Sequence, residues 1–144
     1  MQALSIDLSF NDPADQGNIS GFGAASVFEA AAGCGITSFS MNLYGNTNVG
    51  SSISIMGQKF LNFKKLQTLE LQFYVINPSD SAAGDAFAAD FGAGVASMRD
   101  SLTRLSLDMS CNQVSDVGIA AMGAGCDLSL APMLKSHDCC CHSQ

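Results

Sequence analysis

The residues with the most chemical potential lie at the C-terminus, where His137 precedes Cys139, Cys140, Cys141, His142, Ser143 and Gln144. Thiolates and imidazoles are zinc ligands. Adjacent cysteines, however, fit poorly around one tetrahedral ion, and no second cluster completes a site. The last four residues have the C-x-x-X layout of a prenylation box, with glutamine allowed in the last place and two further cysteines upstream for palmitoylation. Against this, His142 and Ser143 are not aliphatic and no polybasic run precedes them. An unstructured tail without function is the default, with Cys139, Cys140 and Cys141 as candidate lipidation sites.

Elsewhere the residue types argue against catalysis. Both histidines lie in the tail, so no imidazole serves as base for a serine or cysteine nucleophile. Asp7 and Glu70 suggest paired carboxylates, but they are expected two strands apart, about 9–10 Å at ordinary strand spacing. The glycines at 21, 23 and 33–35 precede no Lys-Ser/Thr and form no G-x-G-x-x-G motif, so they make no phosphate loop. The chain reads as a non-enzyme that needs no cofactor and no metal.

The elements that must carry any site are clearer. Leu102-x-x-Leu105-x-Leu107 is followed by a turn at Asn112 and then by a small, apolar run from Gly118 to Met122. Leu66-x-x-Leu69-x-Leu71, Ile36-x-x-Phe39-x-Met41 and Ala3-x-x-Ile6-x-Leu8 repeat the strand, with starts 33, 30 and 36 residues apart. Asn46 follows Met41 at the distance that Asn112 keeps from Leu107. This pattern resembles the leucine-rich repeat of the longer, ribonuclease-inhibitor-like class. The resemblance implies an α/β fold, a short solenoid with a curved parallel sheet and helices on the convex side. The repeats occupy residues 1–131, start near 3, 36, 66 and 102, and close on a partial coil at Leu128-x-Leu130. Residues 132–144 form a flexible cysteine-rich tail.

Strands are expected over 3–9, 37–42, 67–73 and 103–108, the third prolonged by the apolar run 73–76. Helices are expected over 21–32 and 82–98, with another from a cap at Ser51 or Ser52. The repeats Val27, Phe28, Ala31, then Ile53, Met56, Phe60, Phe63, then Phe87, Phe91, Val95 mark buried faces. Cys34, Cys111 and Cys126 are expected as small buried residues.

In such strands the leucines point inward and their neighbours outward. Stacking then builds three columns: Ser5, Ser38, Thr68, Arg104; Asp7, Ser40, Glu70, Ser106; and Ser9, Asn42, Gln72, Asp108. The resemblance makes this concave face a protein-binding surface, built chiefly of Asp7, Ser9, Ser40, Asn42, Thr68, Glu70, Gln72, Arg104, Ser106 and Asp108. A sheet face that merely has to be polar is the plain alternative, since aromatic anchors of the kind that dominate hot spots are missing. Other readings are a structural subunit or fragment of a longer array, self-associating through its repeat ends, and more distantly a regulator of a small GTPase.

Composition sets bounds. With 47% apolar and 13% charged residues the chain can bury a core. A net charge of −7 repels nucleic acid and favours a basic partner. No stretch reaches the roughly 20 apolar residues of a membrane span. The first residues carry no basic, apolar leader, and the cysteines form no disulfide framework, so a cytoplasmic setting is expected.

Overall fold

The computed structural model describes residues 2–9, 19–47, 49–74, 76 and 79–125. Strands β1 (Ala3–Asp7), β2 (Ser38–Asn42), β3 (Thr68–Gln72) and β4 (Arg104–Asp108) lie side by side in chain order, all parallel. Parallel neighbours need a crossover. Here the crossovers are helices: α1 (Gly21–Gly33), α2 (Ile53–Lys59, flanked by 3-10 turns Gly50–Ser52 and Phe60–Asn62) and α3 (Ser81–Ser97), with α4 (Asp116–Gly125) after β4. Each helix packs on the next, so the protein is α/β, a helix layer against one face of a four-stranded sheet.

The alternation of residue types explains which face is covered. Phe39, Met41, Leu69 and Leu71 are at most 1% exposed, while Ser40 and Glu70 between them reach solvent. The helices meet the sheet through phenylalanines. Phe28 of α1 lies 5.4 Å from Phe39 of β2 and 4.9 Å from Phe60, which is 5.0 Å from Phe91 of α3. Such pairs add about 0.5–1.5 kcal/mol each beyond the area they bury. Small residues let the helices close on this ladder: a Cβ at Gly94 of α3 would stand 2.5 Å from Phe60 Cβ.

Local chemistry sets the helix ends. Ser20 Oγ accepts from Gly23 N, and Asp80 Oδ1 from Ala83 N, each at an N-terminus that exposes free amides. α1 ends at Cys34, and Gly35 follows in the left-handed region at φ 64. Lys64 Nζ donates to Leu61 O beyond α2, where backbone carbonyls are unpaired.

Several expectations need correction. The third strand ends at Gln72, although Phe73 N still donates to Asp108 O; Phe73 and Ile76 are fully buried. Neither Ser51 nor Ser52 caps α2. The Ser52 hydroxyl instead accepts from Gly21 N across the helix layer and donates to Val49 O. Cys34 and Cys111 are exposed, because one caps a helix and the other takes a positive φ in a turn. The first strand is displaced by two residues: Leu4 pairs with Phe39 and Ile6 with Met41. The turn at 11–13, Cys126, the closing coil and the tail with Cys139, Cys140 and Cys141 lie outside the described residues. Among the described residues, no helix is long and apolar enough to cross a membrane.

Candidate functional site

The open face of the sheet gathers the outward residues of all four strands. The register sets Ala3, Ser38, Thr68 and Arg104 in one row, Ser5, Ser40, Glu70 and Ser106 in the next, and Asp7, Asn42, Gln72 and Asp108 in the third. Three rows were expected, but with a different first strand. Asp7 does not share a row with Glu70, and Ser9 does not share one with Asn42. A shift of two residues keeps every side chain on its face, so the alternation of Leu4, Ile6 and Leu8 is equally satisfied by either register. The turn beyond the strands decides. Asn46 Nδ2 donates to Leu8 O and Leu43 O, at 2.8 and 2.9 Å, which makes residues 8 and 43 equivalent. Asn112 Nδ2 binds Phe73 O and Met109 O in the same way.

The charges on this face are partly spent. Arg104 donates to Glu70 Oε1 at 3.0 Å, so the charge of Glu70 is compensated on the face itself. Asp7 Oδ1 accepts from Ser9 N at 2.9 Å, Asn42 Oδ1 from Tyr44 N at 3.0 Å, and Asp108 Oδ1 from Ser110 N at 2.9 Å. Each side chain thus closes the turn that ends its own strand, as Asx residues do. The hydrogen bonds from Ser9, first its side chain and then its backbone, hold the Asp7 carboxyl below the ordinary carboxylate range. Asp7 and Asp108 occupy the two ends of one row, about 14 Å apart at three strand spacings.

Sequence reasoning missed an aromatic pair. The ladder continues past the strands through Leu8 N to Asn42 O, Leu43 N to Gln72 O and Phe73 N to Asp108 O. A fourth outward row therefore holds Ser9, Tyr44, Tyr74 and Ser110. Tyr44 and Tyr74 stack with centroids 4.7 Å apart and planes 9° from parallel. Their separation of 30 residues equals that of Ser38 and Thr68, the signal that could have placed them side by side. A hydrogen bond with the Cys111 side chain, and next the charge interaction with it, push the Tyr74 phenol above its ordinary value; a weaker repulsion comes from Asp108. Both rings are half-buried.

Two further side chains work between units rather than on the open face. Asp85 of α3 accepts from Ser115 N at 2.7 Å through Oδ1 and from Ser115 Oγ at 2.6 Å through Oδ2, fixing the start of α4. Asp90, on the same helix, has its carboxyl pushed up by burial. Among the described residues, no group of three or more histidines, cysteines or carboxylates could hold a metal ion.

Comparison of the chain with known protein families, with curated proteins and with solved structures finds no match.

Proposed function

We propose that the chain is a short leucine-rich-repeat module that binds a protein partner through the open, polar face of its parallel sheet. The observation that carries this reading is the register. It puts polar side chains of four strands in common rows, flanked by a stacked tyrosine pair, while the alternate residues go to the core. The asparagine bridges at Asn46 and Asn112, one unit apart from the carbonyls they bind, support the repeat assignment and its solenoid form. Tyrosine is enriched at interface hot spots, so the pair supplies the anchors that the columns alone lack. The partner we infer is basic, because Asp7 and Asp108 place carboxylates on the open face and the whole chain carries −7. In this reading the protein is not an enzyme, requires no cofactor and acts in the cytoplasm.

The test is capture of basic proteins by the wild type and by the triple variant Asp7→Asn, Glu70→Gln, Asp108→Asn. Amides keep the turn acceptors that lysine would remove; Asn42 already does this work with an amide. Capture should fall several-fold, and further with added salt, at unchanged circular dichroism. Unaltered capture by the folded variant would place binding on another surface.

One observation favours a structural reading as well. Leu4 and Ile6 of β1, with Leu8 just beyond it, are only half-buried at the sheet edge, where a repeat array would continue. End-to-end association that rises with concentration and is lost on changing Ile6 to a charged residue would support it. Regulation of a small GTPase has no comparable observation behind it.

A further inference from the structure

We propose that the end of the tyrosine row at β4 is a seat for an arginine side chain of the partner, stacked on Tyr74 above Ser110 and held by Asp108. The proposal rests on the open-face reading above and narrows it to one side-chain chemistry.

The geometry begins with spacing. Neighbouring strands lie about 4.8 Å apart, which is also close to the stacking distance of flat groups. Tyr44 and Tyr74 occupy two successive places of the fourth row, and their 4.7 Å separation follows that spacing. The next place belongs to Ser110, whose side chain is too short to cover an aromatic ring. A planar group resting over Ser110 would continue the stack on the second face of Tyr74.

Charge then selects the planar group. Asp108 stands two residues before Ser110 on the same side of β4 and is near enough to act on the Tyr74 phenol. Its Oδ1 takes the Ser110 amide, which holds the carboxylate beside Ser110. Among the described residues the cation of this face is Arg104, which lies in the first row and is paired to Glu70. A guanidinium is flat, cationic and able to stack on a ring while its edge donates to a carboxylate. An ammonium shares the charge but not the plane, and a nucleobase shares the plane but arrives on a repelled backbone. The stack on Tyr44 orients the Tyr74 ring before any ligand comes.

The chain offers its own probe. It has 2 tyrosines and no tryptophan, so its tyrosine emission reports on this pair alone. Titrate the full chain with a flexible glycine–serine peptide bearing arginines, with its lysine counterpart, and with its citrulline counterpart. The arginine peptide should change tyrosine emission saturably. The lysine peptide should bind about two- to fivefold more weakly, the worth of an exposed cation–π contact. The citrulline peptide should give no saturable change. Asp108→Asn, which keeps the turn bond, should weaken the arginine peptide about two- to fivefold, as expected for an exposed ion pair. Asp7→Asn makes the same charge change at the far end of the row and should have a smaller effect.

Equal binding of arginine and lysine peptides, equal effects of the two aspartate changes, or no tyrosine response would each overturn the seat. The capture experiment scores the broader reading separately. Capture lost in the triple amide variant with no tyrosine response would leave the open face standing and remove only the arginine seat. Capture unaltered with no tyrosine response would remove both.

Discussion

The middle of the sheet and its first edge use the same alternation of residues but reach different states. In β2 and β3 the inward residues Phe39, Met41, Leu69 and Leu71 are sealed, each with a strand on either side and phenylalanines above. In β1 and just beyond it the inward residues Leu4, Ile6 and Leu8 have one neighbouring strand among the described residues and remain half-buried. The fourth strand stands between these states, with Leu105 at 5% and Leu107 at 6% exposure. An apolar residue in the right phase is therefore necessary for burial but not sufficient, because the second side of each strand must come from another unit.

Truncations should separate the two regions most widely. Leu69→Ala removes a fully buried side chain from the centre and should cost about 2–5 kcal/mol, with Leu105→Ala toward the lower end of that range. Ile6→Ala, already wet in the native state, should cost less than about 1.5 kcal/mol because little burial is lost. Chemical denaturation gives all three. Equal losses at Leu69 and Ile6 would break the contrast and mean that the first edge is covered in solution.

The asparagine bridges sharpen the comparison at the next level. Asn112 joins the third and fourth units through Phe73 O, Met109 O and Ile76 N, the last donating to Oδ1 at 2.8 Å. Asn46 binds Leu8 O and Leu43 O, but its buried Oδ1 has no partner among the described residues. Asn112→Ala should cost about 1–3 kcal/mol by leaving part-buried groups unpaired, and Asn46→Ala less. The ratio of the two, read from melting curves at one protein concentration, checks the order.

The smallest expected effect is at Asp90, where the sign is the informative part. Burial disfavours its ionised form, so its folded pKa lies above the unfolded value. The fold then binds the proton more tightly, and Asp90 subtracts stability as pH rises through the carboxylate range toward neutrality. Asp90→Asn should raise stability at pH 7 by less than about 0.5 kcal/mol, the range of surface changes. The gain should vanish in acid, where both side chains are neutral. Asp7 has the opposite sign: its pKa is depressed, so its contribution is present above the unfolded value and lost as pH falls through the folded one. A melting-temperature series from neutral pH into acid, on wild type and both asparagine variants, should resolve the two directions.

Much of the architecture was legible along the chain. Alternation in Leu66-x-x-Leu69-x-Leu71 and its copies assigns every strand residue to a face, because side chains in a strand alternate with a period of two. The spacing of Phe87, Phe91 and Val95 marks the buried face of α3 for the corresponding reason in a helix, and all three are fully buried. These are local properties, set by backbone geometry within a few residues. The same periodicity leaves the β1 register open to a shift of two, since that shift moves no side chain to the other face. Only contacts between units chose it, through Asn46 reaching back to Leu8. Pairing of Arg104 with Glu70, stacking of Tyr44 on Tyr74 and the capture of Ser115 by Asp85 were likewise decided by tertiary structure. Each joins residues about thirty or more apart, and a distance of a few ångströms between them depends on how strands and helices stack.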